Sequence, residues 1–293
     1  MASANPSTEG PWLVFGLTGP LGRAFADGLL ASDPPLLAVS RRPQAASGRI
    51  AWRHGGLADM PDPAVQVAAI VSLGPLDAFA QWFEGSSLAP CRIVAIGSTS
   101  VHAKKDSPDP AERALAHALR DAERRLAAAA TARGTALTVL RPTLLYGRGS
   151  DRTLSRLVGL GRRWRLLPLP LRAGGLRQPV HVDDVAAAVL GALRARLART
   201  GFFDLPGGEV LGFDQMVMRT LAAAAPGTVL LRLPGPLFRT GVRMLRGLGR
   251  LDAAGDGVLV RLDQDLVYDA GPARNALDHY PRGFQPSADM FPA

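Results

Sequence analysis

The chain has 293 residues and a mass of 30.9 kDa, which suits one large α/β domain or one domain with a smaller appendage. Apolar residues make up 47% of the sequence and charged residues 20%, so the composition excludes a disordered chain. No apolar run reaches the roughly 18 residues needed to span a bilayer, and the polar N-terminus does not resemble a secretory signal. A single cysteine, Cys91, excludes an internal disulfide and a cysteine-cluster zinc site. We expect a cytoplasmic protein without an integral membrane segment.

The net charge of +9 and the pI near 10.9 are values that nucleic-acid-binding proteins often share. The basic residues are nevertheless scattered, without the interleaved aromatic residues that single-strand binders use. All of them are arginine except Lys104 and Lys105, a bias that fits a GC-rich genome better than selection for phosphate contacts. The sequence therefore predicts a small-molecule substrate and no nucleic-acid partner.

The first half of the chain alternates short apolar runs with helix-like stretches, which is typical of βαβ units around a parallel sheet. A helix is predicted over 21–30, and a long one over 110–132 that begins at Asp109 and Pro110. Strands are predicted over 12–15, 36–39, 50–53, 67–72, 92–96 and 135–140.

The second half is less regular. Helices are predicted over 152–161, 182–197 and 214–224, with a loop over 162–175 that is rich in Arg, Pro and Leu. The segment 234–250 places arginines beside apolar residues, as in a basic helix lying on a membrane. Several glycines within it favour the alternative, a surface helix of a smaller lobe.

The segment 16–22, GLTGPLG, follows the first predicted strand and opens the first predicted helix. Glycines are needed where the backbone turns tightly and approaches a pyrophosphate, and a helix N-terminus favours the negative charge. This context makes the segment a candidate dinucleotide-binding turn. The predicted contacts are Gly16, Thr18, Gly19, Pro20, Leu21 and Gly22.

The second predicted strand ends in Ser40, Arg41 and Arg42, about 20 residues beyond the last glycine of the turn. Sites that prefer NAD usually place an Asp or Glu there, whose carboxylate binds the ribose hydroxyls. Guanidinium groups suit a 2′-phosphate instead. The sequence therefore favours NADP(H) over NAD(H), unless these are ordinary surface arginines.

Five further segments complete a resemblance to the extended or atypical short-chain dehydrogenase/reductases, the NAD-dependent epimerase/dehydratase group. HGGLAD at 54–59 resembles the GDLxD loop, IGSTSVH at 96–102 the SSTSVYG segment, and RPTLLYG at 141–147 the RPxxxYG segment. RQPVHVDDVA at 177–186 is similar to RxxVHVDDVA, and FDLPGG at 203–208 also looks like this family. Further predicted cofactor contacts are Gly56, Leu57, Ser72, Leu73, Gly74, Pro142 and Thr143.

The sequence departs from the family at its catalytic pair. Active members place a Tyr, and a Lys four residues later, on the helix that corresponds to 110–132. Alignment at Glu123 puts Leu115 and Leu119 in these two positions, so the usual proton relay is absent.

Three nearby residues are candidates for the chemistry instead. The resemblance implies that Ser98 is the catalytic serine. The alternative is a serine that caps a turn, which would give the same sequence pattern. His102 is a candidate proton donor and Lys104 a candidate amine, against the alternatives of a packed histidine and a solvated lysine.

The resemblance also implies that Tyr146 and Arg177 lie near the substrate. The family role of the tyrosine is structural, and the arginine often reaches toward the phosphate of a nucleotide-linked substrate. Helix capping or an ion pair with Asp183 is the alternative for Arg177. The five histidines show no metal-binding spacing, so no metal is predicted.

Together these features predict a Rossmann-type doubly wound parallel sheet with a small C-terminal substrate lobe. The dinucleotide-binding domain is expected over 10–175, returning near 178–205, with the lobe mainly over 206–293. The expected function is an NADP(H)-dependent oxidoreductase or epimerase-like protein that acts on a carbonyl or alcohol, for which a nucleotide-linked sugar is one candidate. A catalytically silent NADP(H) sensor or scaffold is the alternative. A monomer and a homodimer are both compatible with the sequence.

Overall fold

The computed structural model describes residues 10–171, 173–197, 199–238, 240–241 and 262–291. The strands are β1 (Trp12–Phe15), β2 (Leu36–Ser40), β3 (Ile50–His54), β4 (Ala69–Ser72), β5 (Arg92–Ile96), β6 (Ala136–Pro142), β7 (Leu145–Tyr146), β8 (Leu166–Pro170), β9 (Leu176–Arg177), β10 (Val180–His181), β11 (Gly201–Leu205), β12 (Leu211–Gly212) and β13 (Val229–Leu233). The helices are α1 (Pro20–Asp27), α2 (Leu76–Gly85), α3 (Ser100–Ala103), α4 (Pro110–Ala132), α5 (Arg152–Trp164), α6 (Val182–Arg194), α7 (Phe213–Ala224) and α8 (Gly271–Leu277), with a 3-10 turn at Ala288–Met290.

Seven strands form one sheet in the order β11-β6-β5-β4-β1-β2-β3, and all neighbours run parallel. The winding reverses between β1 and β4, which is the switch point at which doubly wound sheets bind their ligands. The predicted Rossmann-type fold is confirmed.

Helices cover both faces of this sheet. One apolar core lies between the sheet and the pair α1 and α6, and a second lies between the sheet and the pair α2 and α4. Burial on both faces explains why β1 and β4 are buried along their whole length. The C-terminal edge of the strands is left for the loops that carry the candidate site.

A third core lies beside the sheet. It draws side chains from 146–173 and 211–225, together with Leu262, Phe284 and Phe291. Helices α5 and α7 pack here, and β8 pairs with β13. The proposed division of the chain into a domain and a lobe stays a prediction.

The prediction of a loop over 162–175 was wrong. Helix α5 continues to Trp164 and ends where Arg165 adopts a left-handed conformation with φ of 53°. Strand β8 follows directly and contains Pro168 and Pro170. In the sequence, prolines are typical of loops. A two-stranded sheet tolerates them here, because the edge of β8 that does not pair with β13 needs no N–H donors.

Helix α2 was not predicted, although its pattern was available. Leu76, Phe79, Ala80 and Phe83 are buried at the spacing of one helical face. Helix α6 ends at Arg194 rather than at 197. The basic segment predicted at 234–250 lies mostly outside the described residues. Within the described ranges, no helix combines the length and apolarity needed to cross a membrane.

Candidate functional site

The glycine turn after β1 brings the backbone of α1 against the backbone of the turn. Gly16 has φ of +86°, a conformation that L side chains rarely adopt. A Cβ on Gly22 would lie 2.3 Å from the Leu17 carbonyl oxygen and 2.4 Å from the Gly16 carbonyl oxygen. Gly19 precedes α1 and has no side chain to cap it, so the first amides of the helix remain available to an anion.

The end of β4 lies beside this turn, at the switch point of the sheet. The Leu73 amide donates to the Phe15 carbonyl at 3.0 Å, and a Cβ on Gly16 would lie 3.0 Å from the Leu73 carbonyl carbon. Ser72 is fully buried, and its hydroxyl has no hydrogen-bond partner among the described residues. A glycine cradle, an uncapped helix and a buried hydroxyl without a partner fit the pyrophosphate of a dinucleotide.

The end of β2 carries no carboxylate. The Ser40 hydroxyl closes a local turn, accepting from the Arg42 amide at 3.1 Å and donating to the Arg42 carbonyl at 2.8 Å. Arg41 and Arg42 are exposed. The Arg41 stem lies so close to Gly56 that a Cβ there would be 3.2 Å from Arg41 Cγ.

The loop after β3, which resembles GDLxD, lies against the turn that follows β4. The Gly56 amide donates to Asp59 Oδ1 at 2.7 Å, which holds this carboxylate within its own loop. A Cβ on Gly74 would lie 3.8 Å from Leu57 Cδ1. The structure therefore brings the predicted residues of the β2, β3 and β4 ends to one region.

The ends of β5, β6 and β11 are tied together at the same edge of the sheet. The Gly97 amide donates to the Leu140 carbonyl at 2.7 Å, and the Thr99 amide to the Pro142 carbonyl at 3.2 Å. The Thr143 hydroxyl donates to the Gln178 carbonyl. The half-buried Ser98 accepts from the Ser100 amide at 3.1 Å through its hydroxyl oxygen, which leaves the hydroxyl proton for another acceptor.

His102 lies on α3, just beyond Ser98, and its side chain is 45% exposed. Its Nε2 atom is 3.4 Å from Asp204 Oδ2 and 3.3 Å from Arg141 Nη1. Its ring centroid is 6.0 Å from that of Tyr268. Burial raises the pKa of the Tyr268 hydroxyl, and this hydroxyl lies 3.5 Å from the Thr99 carbonyl oxygen.

A cleft of about 330 Å³ opens between the segment 102–108 and the segment 264–268. His102 and Tyr268 both line it, as does Lys105. Neither Tyr268 nor Asp204 was predicted from the sequence as a site residue. The scarcity of tyrosine, with three in the chain, was the available signal for the first, and the FDLPGG segment for the second.

Lys104 is directed away from this chemistry. Its Nζ atom lies 3.9 Å from Glu112 Oε1, at the start of α4. Glu112 also accepts a hydrogen bond of 2.7 Å from the Ser107 hydroxyl. Further along α4, Leu115 is exposed and Leu119 packs against the second core.

The two residues predicted near the substrate have structural contacts. Tyr146 is fully buried; its hydroxyl donates to the Gly283 carbonyl at 3.0 Å and accepts from the Gln285 amide at 3.3 Å. Burial raises the pKa of this hydroxyl. Arg177 is buried, and its Nη1 donates to the Gln264 carbonyl at 2.6 Å.

Asp183, the alternative partner of Arg177, pairs with Arg148 at 2.6 Å instead. Among the residues that the structure describes, no group of three or more His, Cys, Asp or Glu side chains could hold a metal ion.

No family model and no curated protein sequence matches the chain. Solved structures do match it. MoeE5 in complex with UDP-glucuronic acid and NAD is 18% identical over 94% of this chain and 95% of that chain, with a TM-score of 0.66. The UDP-glucuronic acid 4-epimerase from Bacillus cereus in complex with NAD is 12% identical over 93% and 94% of the two chains, with a TM-score of 0.64. TunA, an NAD-dependent NDP-hexosamine 5,6-dehydratase of tunicamycin biosynthesis, is 13% identical over 96% and 95%, with a TM-score of 0.63.

The chain has the fold of NAD-dependent epimerases and dehydratases. At the level of the fold, this confirms the resemblance carried by the sequence motifs. An epimerase/dehydratase fold does not fix the reaction, since function depends on the groups at the site. In this chain the candidate groups are the glycine turn, the arginines after β2 and the side chains around Ser98 and His102.

Proposed function

We propose that the chain binds a nicotinamide dinucleotide and acts as an oxidoreductase or epimerase on a carbonyl or alcohol, with nucleotide-linked sugars as the first substrate class to test. The observation that carries the proposal is the glycine turn at the switch point, where a Cβ on Gly22 would fall on two carbonyl oxygens. The nucleotide sugars in the names of the similar structures support the choice of substrate class.

The residues 16–22 and the hydroxyl of Ser72 would hold the pyrophosphate, and Pro142 and Thr143 would lie beside the nicotinamide. When bound, the dinucleotide supplies or accepts the hydride. The chain's own part is to polarise the reacting oxygen with the Ser98 hydroxyl and to exchange a proton through His102. Lys104 is a weaker candidate than Ser98 and His102, because its Nζ atom lies 3.9 Å from Glu112 Oε1.

The cofactor preference that we propose is NADP(H) over NAD(H). It rests on the exposed Arg41 and Arg42 and on the lack of a carboxylate at the end of β2. Replacing both arginines with alanine is expected to reduce the affinity for NADPH to about that for NADH. Arg124→Ala, on the exposed side of α4, is the control and should change neither affinity. Calorimetry with both nucleotides checks this, and an unaltered preference in the double variant would contradict the assignment.

The enzymatic proposal is tested by incubating the chain with NAD⁺ or NADP⁺ and a panel of nucleotide sugars and simple alcohols. Nicotinamide absorbance detects net oxidation, and sugar NMR detects epimerisation. We expect turnover that Ser98→Ala or His102→Gln lowers by about 10²-fold or more, while the dinucleotide affinity stays nearly unchanged. Equal losses of turnover and dinucleotide affinity would indicate structural damage instead.

The second candidate is a catalytically silent dinucleotide-binding protein. It is favoured by one observation, the leucines at positions 115 and 119 where active relatives carry the proton relay. Tight binding of a dinucleotide that no member of the panel alters, with no turnover, would support this candidate against the enzyme.

A further inference from the structure

The paired strands β8 and β13 form a ribbon with apolar side chains on both of its faces. Successive side chains of a strand point to opposite faces, and partners in register point to the same face. On the inner face, Leu167 and Leu169 are buried in the third core and Leu230 packs against it. The alternate residues form the outer face and are all apolar: Leu166, Pro168, Pro170, Val229, Leu231 and Leu233. A ribbon with one face in water is expected to alternate apolar with polar residues, so this face departs from that pattern.

The larger side chains of the outer face are exposed. Val229 is 61% exposed and Leu231 43%, and their neighbour Leu166 is exposed as well, whereas the other three residues of the face are partly or fully buried. Leu171 and Leu237, which follow the two strands, are also exposed. Monomeric proteins rarely expose several large apolar side chains together unless a partner covers them.

The sequence around this ribbon contains no acidic residue. Asp and Glu are absent from 152–182, which has seven arginines, and from 215–251, which has six. Strand β8 lies within the first stretch and β13 within the second. Asp214 reaches the ribbon at Arg232, whose place in the register is on the inner face, and pairs with it at 2.8 Å. The charge that these two stretches bring to the ribbon is therefore positive.

An exposed aromatic side chain lies between two basic ones just before β8. Trp164 ends α5 and is exposed, as are its neighbours Arg163 and Arg165. Tryptophan favours the boundary between lipid and water, because its ring is apolar and its N–H can still form a hydrogen bond. Arginine attracts anionic headgroups at the same boundary.

We propose that the outer face of the β8–β13 ribbon, together with Trp164 and its two flanking arginines, is a docking surface for an anionic membrane. The apolar side chains enter the boundary between headgroups and acyl chains, and the guanidinium groups pair with lipid phosphates. A second copy of the chain would also cover the apolar side chains, but two such surfaces carry like charges and repel each other. An anionic bilayer matches both the apolar face and its charge.

Sedimentation of the full chain with lipid vesicles tests the proposal. We expect binding to equal parts of phosphatidylcholine and phosphatidylglycerol, little binding to phosphatidylcholine alone, and release as the salt concentration rises. Val229→Ser with Leu231→Ser should weaken binding about tenfold, because two apolar side chains no longer enter the bilayer. The control is Val65→Ser with Leu115→Ser. These residues are 46% and 43% exposed but lie between β3 and β4 and on α4, so binding should not change.

The contribution of charge is tested separately. Arg163→Gln with Arg165→Gln should weaken binding to the anionic vesicles about tenfold at low salt and reduce its dependence on salt. Arg124→Gln with Arg196→Gln removes the same charge from exposed positions on α4 and after α6. This control should retain most of the affinity. Equal losses in the two pairs would mean that net charge alone draws the chain to the vesicles, and would overturn the proposal.

Fluorescence shows which surface enters the lipid. Phosphatidylcholine with brominated acyl chains quenches a tryptophan that enters the bilayer. Trp164 is the exposed tryptophan of the four, since Trp12 and Trp82 are buried and Trp52 is partly buried. We expect quenching that Trp164→Phe removes. Vesicle binding without this quenching would place the contact on another surface and overturn the proposal.

Three further results would overturn it. The first is a folded chain that does not bind anionic vesicles. The second is a dimer that Val229→Ser with Leu231→Ser dissociates, which would assign the face to a second copy. The third is a lower urea midpoint of the same variant without lipid, which would mean that the chain itself covers the face. None of these measurements needs a dinucleotide or turnover, so their outcome is independent of the proposed function.

Discussion

At the scale of single residues, glycine decides how closely α1 can approach the turn after β1. A Cβ on Gly22 would lie against two backbone carbonyl oxygens, so any side chain there must displace backbone rather than a flexible neighbour. Gly159 on α5 is its opposite, because a Cβ there would meet nothing within 4 Å. The two positions form a matched pair within the same chain.

Gly22→Ala is expected to lower the free energy of unfolding by about 1–3 kcal/mol, since overpacking forces the backbone to shift. Gly159→Ala should be neutral or stabilising by up to about 1 kcal/mol, because alanine is the better helix former. Urea unfolding of both variants measures the difference. A Gly22→Ala variant as stable as the wild type would mean that α1 is not held this close to the turn.

At the scale of elements, two arginines connect the C-terminal end of α6 to β5 and to the segment before β2. Arg92, at the start of β5, donates through Nη1 to the carbonyls of Ala192, Leu193 and Ala195 at 2.6–3.1 Å. Arg194, at the end of α6, donates to both carboxylate oxygens of Asp33, at 3.0 and 2.6 Å. The contacts of Arg92 satisfy carbonyls at the end of α6 that would otherwise lack partners.

The Asp33 contact gives a pH-dependent prediction. The hydrogen bond from Arg194 outweighs burial and holds the pKa of Asp33 below its usual value. A folded-state pKa below the unfolded one means that the stabilisation is present above the unfolded pKa and is lost as the pH falls through the folded pKa. Asp33→Asn should therefore cost about 1–3 kcal/mol of unfolding free energy at pH 7, a cost that shrinks as the pH falls below about 4.

Urea unfolding of the wild type and Asp33→Asn at neutral and acidic pH checks this prediction. Asp106→Asn is the control, because its carboxylate is largely exposed and should change little at either pH. A difference between wild type and Asp33→Asn that stays constant with pH would argue against a charged pair at the end of α6.

At the scale of the whole molecule, the fold follows from patterns that are local in the sequence. The strands β1, β2 and β5 were predictable because each is a short apolar run, the long α4 because it is dense in helix-forming residues, and the glycine turn because it is contiguous. Strand β8 was not predictable, because its two prolines are acceptable only once β13 has paired with one of its edges.

The charged part of the site was even harder to predict from the sequence. His102 and Asp204 are about a hundred residues apart, and only the register of β11 against β6 brings Asp204 beside Arg141. The sequence pointed to His102 through its motif, whereas Tyr268 and Asp204 required the three-dimensional arrangement.

The high arginine content also has a structural explanation at this scale. Arg133 donates to the carbonyls of Ala129, Phe83, Glu84 and Ser86 at 2.7–3.2 Å, as Arg92 does at α6. Such arginines fasten chain segments to one another.

The central claim is that the turn at 16–22 binds a nicotinamide dinucleotide, and the most direct test is calorimetric titration of the folded chain with NADPH and with NADH. We predict saturable binding of one dinucleotide per chain, tighter for NADPH than for NADH. A chain that circular dichroism shows to be folded, yet that binds neither nucleotide, would contradict the claim.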